Sequence, residues 1–194
     1  LSLHDALPIS LLRKLDALQS GDVLVLAGSL PAGLPADTYE TMLARLEGRG
    51  VQTVVDASGP LLEQALRCRP FLIKPNREEL AQAVGRAVNT EAETEQAARE
   101  LQARGARNVL VSCGGDGALL LEESGAVHCA AAPRGTVVNS VGAGDSMLAG
   151  FVAGWLQSGS FPSALRLGIA CGSATAFSLG LAGRSQIDAL LAQI

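Results

Sequence analysis

Short apolar runs alternate with amphipathic stretches along the first two thirds of the chain. The runs have the length of strands, and the stretches between them repeat apolar residues at helical spacing. Because the runs are almost continuous Val, Leu and Ile, they predict a parallel sheet that is covered by helices on both faces. The predicted strands cover residues 22–28, 51–58, 71–75 and 108–114. The predicted helices cover residues 36–50, 61–68, 76–85 and 90–105, the last of which is charged and expected to be exposed.

The pattern changes in the last third of the chain. Segments 117–123 and 126–133 flank Ser124-Gly125, which predicts a hairpin at one edge of the sheet. Helices are then predicted at residues 143–158, 162–180 and 185–193. The chain has no repeat, low-complexity segment or linker, so no domain boundary can be drawn after residue 10. The pattern predicts one α/β domain with a mainly parallel sheet and a C-terminal antiparallel edge.

Composition narrows the class of protein. The chain has 194 residues, of which 48% are hydrophobic, enough for one core. Its formal net charge is −4 and no window concentrates Lys or Arg, so nucleic acids and anionic membranes are poor candidate partners. The two histidines stand alone, which argues against a histidine metal site. Four scattered cysteines suit free thiols in a reducing cytosol: Cys68, Cys113, Cys129 and Cys171.

The first ten residues, LSLHDALPIS, have no basic region of the kind that begins a signal peptide. No apolar run in the chain reaches about 18 residues, the length of a membrane span. We therefore expect a soluble cytoplasmic protein. Residues 1–10 are interpreted as a foreign junction or the product of a truncated gene model, and the fold is predicted from residue 11 onwards.

A glycine turn runs straight into an apolar helix at Gly142-Ala143-Gly144-Asp145. Such a turn leaves backbone N–H groups unpaired, and together with the helix dipole these groups favour an anion. Asp145 could simply complement the dipole in the first turn of the helix. That interpretation does not explain the glycines, so Asp145 and the turn before it are also candidates for an anion-handling active site.

Two further segments allow both a structural and a functional interpretation. The segment SCGGDG, residues 112–117, could be a plain hairpin turn, or Ser112, Gly114 and Gly117 could let the backbone approach phosphates closely. Lys74 ends an apolar strand at the carboxyl edge of the predicted sheet, where open α/β sheets bind ligands. A solvated strand end is the alternative for Lys74.

The residues after Lys74 and the small-residue helix near the C-terminus carry similar alternatives. Asn76 and Glu79 open the next helix and could form a capping box instead of binding a ligand. Residues 168–178 are predicted to form a helix dense in small residues, among them Gly172. Close helix packing explains that density, and a flat ligand such as adenine lying against it is the alternative.

Four segments resemble the signatures of the PfkB, or ribokinase-like, sugar kinases: AGSLPAGL, KPNREEL, SCGGDGA and VGAGDSMLAGFVAG. They occur in the family's order from about Leu11 to the C-terminus. The resemblance implies a ribokinase-like three-layer α/β/α fold. The Gly-Asp-Ser-Met form and the tail GSATAFS look most like the 1-phosphofructokinase branch, which converts fructose 1-phosphate to fructose 1,6-bisphosphate with ATP. Kinases of tagatose 6-phosphate and of fructose 6-phosphate are the alternatives within the family.

The resemblance also implies roles for single residues. Asp145 would be the base that accepts the proton of the sugar hydroxyl. The turn that begins at Gly142 would stabilise the transferring phosphoryl group through the N–H groups of Ala143, Gly144 and Asp145. Lys74 and Asn76 would lie towards the ATP phosphates, Glu79 would hold Mg²⁺ indirectly, and Gly28 and Ser29 would lie on the sugar side. The remaining contacts to ATP would come from Ser112, Gly114, Gly115, Gly117 and Gly172. Activation by a monovalent cation is common in the family.

Family members are longer than this chain, and the part without a counterpart here is N-terminal. Residues 11–194 correspond to the C-terminal two thirds of one kinase domain, the ATP-binding half with the base, without the first strands and the β lid. We expect the parent protein to be a homodimer. Expressed alone, residues 11–194 should be poorly soluble, should not dimerise and should show no sugar kinase activity, so an inactive nucleotide-binding fragment is the rival interpretation.

Two other enzyme classes lack their signatures. No G-x-G-x-x-G spacing occurs, which argues against a dinucleotide-dependent oxidoreductase, and no Gly-Lys pair occurs, which argues against a P-loop kinase.

Overall fold

A computed structural model describes residues 9–194, and the fold is a three-layer α/β arrangement with a six-stranded, mostly parallel sheet. Strand order in the sheet follows the sequence. The strands are β1 (Val23–Ala27), β2 (Gln52–Asp56), β3 (Leu72–Ile73), β4 (Asn108–Ser112), β5 (Ala118–Leu121) and β6 (Val127–Ala130). The helices are α1 (Ile9–Ala17), α2 (Thr38–Ala44), α3 (Gly59–Arg67), α4 (Arg77–Val84), α5 (Glu91–Ala103), α6 (Ala143–Ser158), α7 (Phe161–Ala176) and α8 (Arg184–Leu191).

Most of the predicted junction, residues 1–8, lies outside the described residues, and α1 begins at Ile9. None of the helices in residues 9–194 combines the length and the apolar character that a membrane crossing requires. The chain divides into two compact units, one ending at Leu110 and the other beginning at Val111.

The first unit is built on parallel strands, as predicted. β1 pairs with β2, β2 with β3, and β3 with β4, all in parallel. The side chains of the central strands are completely enclosed: Val54, Val55, Leu72, Ile73 and Val109 each have 0% exposure. Burial of both strand faces explains why neighbouring residues such as Val54 and Val55 are both apolar, instead of alternating with polar ones. β1 is less covered, and Val25 on this strand is 44% exposed.

Two helices of the first unit begin with reciprocal capping boxes. In α4, Asn76 and Glu79 exchange side-chain and backbone bonds, and in α5 Thr90 and Glu93 do the same. The prediction that α5 is an exposed charged helix was wrong for one of its faces. That face carries Thr94, Ala97, Ala98 and Leu101, which are buried because small and apolar residues recur there at helical spacing.

The second unit contains the predicted hairpin and three helices. β5 and β6 pair antiparallel, with Leu119 opposite Cys129. α6 and α7 pack with close backbone approach, because glycines line the contact: a side chain at Gly168 would lie 2.9 Å from the Met147 carbonyl oxygen. The prediction that α7 continues to residue 180 was wrong. It ends at Ala176, whose carbonyl oxygen accepts bonds from Val138 and Asn139 in a neighbouring loop.

Candidate functional site

In the first unit, polar groups gather at the carboxyl ends of three adjacent strands. Lys74 directly follows β3, and its Nζ lies 3.1 Å from Oδ2 of Asp56, the last residue of β2. The Lys74 side chain is only 6% exposed and that of Asp56 is 16% exposed. A buried ammonium needs such a partner, because removing an unpaired charge from water is very costly. Lys74 is therefore an enclosed, ion-paired group and not the solvated strand end of the alternative interpretation.

The turn after β1 joins the same cluster. Gly28 has a positive φ of 81°, and its N–H donates to the carbonyl oxygen of Asp56 at 2.9 Å. The Tyr39 hydroxyl lies 3.1 Å from the carbonyl oxygens of both Ala27 and Gly28 and donates its proton to this pair. Burial raises the pKa of Tyr39, and the nearby Asp56 carboxylate raises it further. Tyr39 and Asp56 thus hold the turn that carries Gly28 and Ser29.

Asn76 and Glu79 are both engaged at the start of α4. Asn76 Oδ1 accepts the Glu79 N–H at 2.8 Å, and Glu79 Oε2 accepts the Asn76 N–H at the same distance. The capping-box interpretation is therefore correct for both residues. It leaves Glu79 with a second carboxylate oxygen, and carboxylate oxygens are among the ligands that Mg²⁺ takes. Among residues 9–194, no cluster of three or more His, Cys, Asp or Glu side chains could bind a metal unaided.

In the second unit, the glycine loop after β4 is closed by its own backbone. Cys113 donates its N–H to the Gly117 carbonyl at 2.8 Å, around a short 3₁₀ turn at Gly114–Asp116. Gly117 has a φ of 97°, and a side chain there would overlap the carbonyl oxygen of Ala130. Gly115 faces open space. The loop thus presents an exposed stretch of backbone at Gly114–Asp116, the accessible surface that an approaching phosphate requires.

The first turn of α6 has an unusual N-terminus. Its cap is Gly142, in the left-handed conformation with a φ of 79°, and no side chain caps the turn. The Ala143 N–H, which the resemblance assigned to the transferring phosphoryl group, donates to the Ser140 carbonyl at 3.2 Å. The N–H groups of Gly144 and Asp145 have no acceptor among the described residues, and the exposed Asp145 carboxylate has no hydrogen bond or ion pair there. Two free donors and one free carboxylate therefore share one helix end.

Gly172 lies against this turn from α7. A side chain at Gly172 would stand 3.0 Å from the Ala143 carbonyl oxygen and 3.1 Å from the Met147 Cβ. Close helix packing thus accounts for this glycine. A contact from Gly172 to a flat ligand stays a prediction.

Sequence reasoning missed Asp56 and Tyr39. Asp56 could have been found by the argument applied to Lys74, since it ends an apolar strand at the same edge of a parallel sheet. Tyr39 carries no such signal, because its role depends on how α2 packs over the end of β1.

Known proteins similar to this chain are carbohydrate kinases. The model of the pfkB family of carbohydrate kinases matches residues 3–187. The chain is 43% identical over 183 residues to 1-phosphofructokinase of Bacillus subtilis, covering 94% of this chain and 60% of that protein. It is 40% identical over 185 residues to D-tagatose-1-phosphate kinase of Bacillus licheniformis, covering 95% of this chain and 60% of that protein.

A solved structure agrees with this result. Phosphofructokinase-2 from Escherichia coli in complex with potassium superimposes with a TM-score of 0.88 at 30% identity, covering 95% of this chain and 61% of that one. The chain thus spans about 60% of the length of the relatives that it matches.

Proposed function

Because the chain belongs to the pfkB family of carbohydrate kinases, we propose that the complete protein transfers a phosphoryl group from ATP to a hydroxyl of fructose 1-phosphate, yielding fructose 1,6-bisphosphate and ADP. The observation that carries the proposal is the first turn of α6. Its two free N–H groups can bind a transferring phosphoryl group, and its free carboxylate can accept the proton of the attacking hydroxyl.

The two kinds of group have complementary tasks. Asp145 accepts the proton of the sugar hydroxyl as its oxygen attacks the γ-phosphorus of ATP and the bond to ADP breaks. The N–H groups of Gly144 and Asp145 stabilise the charge on the transferring group, and each such donor is typically worth about 2.7–4 kcal/mol of transition-state free energy. A carboxylate lies beside an anion site because the nucleophile and the phosphoryl group must meet there in line.

The candidate residues of the first unit have a supporting part in the proposal. Lys74 supplies a fixed positive charge for the nucleotide phosphates, and Glu79 contributes one carboxylate oxygen towards Mg²⁺. Bound Mg²⁺ neutralises charge on the phosphates. Asn76, the backbone from Ser112 to Gly117, and Gly172 complete the proposed nucleotide contacts, and Gly28 and Ser29 face the sugar.

A second acceptor is favoured by specific relatives. Proteins of Bacillus licheniformis and Klebsiella oxytoca that are 40% and 36% identical to this chain are D-tagatose-1-phosphate kinases. Tagatose 1-phosphate is therefore the second candidate, ahead of tagatose 6-phosphate and fructose 6-phosphate. Comparing kcat/KM for the four sugar phosphates, by the release of ADP, distinguishes them. The highest value with either 6-phosphate would contradict the proposed substrate.

Asp145→Asn in the complete protein tests the proposed proton transfer. We expect kcat to fall by about 10²–10⁴-fold while the Kd for MgATP changes little, because the lost group is a base for the sugar and not a nucleotide contact. Asp188→Asn, on an exposed part of α8, is the matched control and should keep full activity. A kcat above a tenth of the wild-type value would return Asp145 to the role of a dipole-complementing residue.

The proposal extends to a cation and to assembly. The Escherichia coli relative was solved with potassium, and another structure of that protein is tetrameric. We propose activation by a monovalent cation and a homodimer in the complete protein. Comparing kinase activity in KCl with activity in tetramethylammonium chloride tests the cation. The molar mass of the complete protein, measured by light scattering, tests the dimer.

A further inference from the structure

We propose that Thr175 is a positioning residue for the first turn of α6, where it holds the segment that carries Asp145. Thr175 lies near the end of α7 and is 3% exposed. Its hydroxyl donates to the Ser146 hydroxyl at 2.9 Å and accepts the Ala182 N–H at 3.4 Å. One buried side chain thus joins α6, α7 and the segment that leads to α8. The inference rests on the proposed role of Asp145, which immediately precedes Ser146.

The bonding of Thr175 differs from that of two other helical hydroxyls in this protein, those of Thr94 and Ser158. A threonine inside a helix commonly bonds the carbonyl four residues before it. Thr94 in α5 does this, donating to the Thr90 carbonyl at 2.8 Å, and Ser158 in α6 donates to Gly154 at 2.7 Å. Thr175 instead directs its proton to another helix. Its hydroxyl therefore contributes to the relative position of α6 and α7 and not to the helix that contains it.

Loop contacts at the end of α7 support the same turn. The last carbonyls of a helix lack partners within it. The Ala176 carbonyl finds two outside, the N–H groups of Val138 at 2.8 Å and Asn139 at 3.1 Å. Asn139 Oδ1 in turn accepts the Val141 N–H at 3.0 Å, one residue before Gly142. The end of α7 thus holds the loop before the turn through Ala176, and the turn itself through Thr175.

Positioning matters here because the α6 turn has little capping of its own. No side chain caps it, and the N–H groups of Gly144 and Asp145 must stay free for a ligand. The usual means of fixing a helix start would occupy those donors. The hydrogen bond from the Thr175 hydroxyl to the Ser146 hydroxyl fixes the turn and leaves the N–H groups of Gly144 and Asp145 free.

The test is made in the complete protein. It compares Thr175→Val with Thr175→Ser, and uses Ser146→Ala to remove the other partner. Thr175→Val and Ser146→Ala should each lower kcat by about three- to tenfold, the equivalent of one hydrogen bond, with the KM for ATP within about twofold of wild type. The double variant should be no slower than the slower single variant, because both remove the same bond. Thr175→Ser keeps the hydroxyl and should recover most of kcat. Thr94→Val, an equally buried threonine on α5, should leave kcat unchanged.

Amide hydrogen exchange gives a readout that does not depend on activity. Ser146 donates its N–H to the Gly142 carbonyl at 2.9 Å, so its exchange rate reports opening of the turn. Thr175→Val should raise that rate by at least about threefold, and Thr94→Val should not. Unchanged exchange at Ser146 in Thr175→Val, or a Thr175→Ser variant as slow as Thr175→Val, would overturn the inference. If the complete wild-type protein phosphorylates no sugar, the proposed function fails, and the exchange rate still decides the role of Thr175.

Discussion

The buried ion pair between Asp56 and Lys74 allows a quantitative prediction about stability. Asp56→Asn keeps the shape of the side chain and removes its charge, which leaves the ammonium of Lys74 with no neutralising charge from Asp56. Lys74 is 6% exposed, so water cannot replace the lost carboxylate. Removing one partner of a buried pair typically costs about 3–5 kcal/mol. Because Asp56 is 16% exposed and therefore partly hydrated, we expect a loss near the lower end, about 3 kcal/mol.

A second variant separates the burial of charge from packing. In the double variant Asp56→Asn with Lys74→Met, both charges are gone and the methionine fills much of the space of the lysine stem. Replacing a buried pair by neutral groups is often close to neutral for stability. The double variant should therefore be more stable than Asp56→Asn alone, with a coupling energy of at least about 1 kcal/mol.

Urea unfolding followed by circular dichroism measures these free energies, provided that the slope with denaturant stays constant across the variants. Asp188→Asn is the control, because its ion pair with Arg184 lies on the surface, where the Arg184 side chain is 85% exposed, and such pairs are worth about 0–1 kcal/mol. If Asp56→Asn costs no more than Asp188→Asn, the pair is hydrated in solution, and the assignment of Lys74 as an enclosed charge is wrong.

Two further predictions concern the nucleotide side of the proposal and the glycine loop. Lys74→Ala in the complete protein should raise the KM for ATP more than the KM for the sugar phosphate in steady-state assays, because we propose that the Lys74 charge faces the phosphates. A change confined to the sugar KM would contradict that placement. Gly117→Ala should destabilise the fold by about 2 kcal/mol or more in urea unfolding, because its φ is 97° and a side chain would meet the Ala130 carbonyl. Gly115→Ala, where nothing lies within 4 Å, is the matched control and should change stability by less than about 1 kcal/mol, and equal losses in the two variants would refute the steric argument.

Much of the fold could be predicted from local sequence patterns. The runs that became β1, β2 and β4 were predicted to within a few residues. Each contains consecutive apolar residues, which is typical of strands in a parallel sheet. β3 is shorter than predicted, with only Leu72 and Ile73 in ladder geometry. The capping box at Asn76 was one of two interpretations of that segment, and it also follows from residues within one turn. Such features depend on neighbours in sequence, which a single sequence displays.

Part of the candidate site could be predicted from the sequence, because its chemistry requires a particular backbone conformation. Asp145 and the glycine turn before it stand out because an anion site needs consecutive free N–H groups at a helix start. Of the ion pair between Asp56 and Lys74, only Lys74 was predicted. Strand ends meet at one edge of a parallel sheet, but the sequence does not say which side chains there are in contact.

By itself, the sequence determined the class of fold, the position of the glycine turns and the family, because each of these resides in short segments whose periodicity or spacing is complete in one stretch of chain. Tertiary structure alone decided that α7 ends at Ala176, that Tyr39 holds the Gly28 turn, and that Thr175 reaches Ser146. Each of these depends on a hydrogen bond between residues at least 11 positions apart or on a contact between separate elements. The partner of a hydroxyl or carbonyl is set by how helices and loops pack, and residue type does not encode that choice locally.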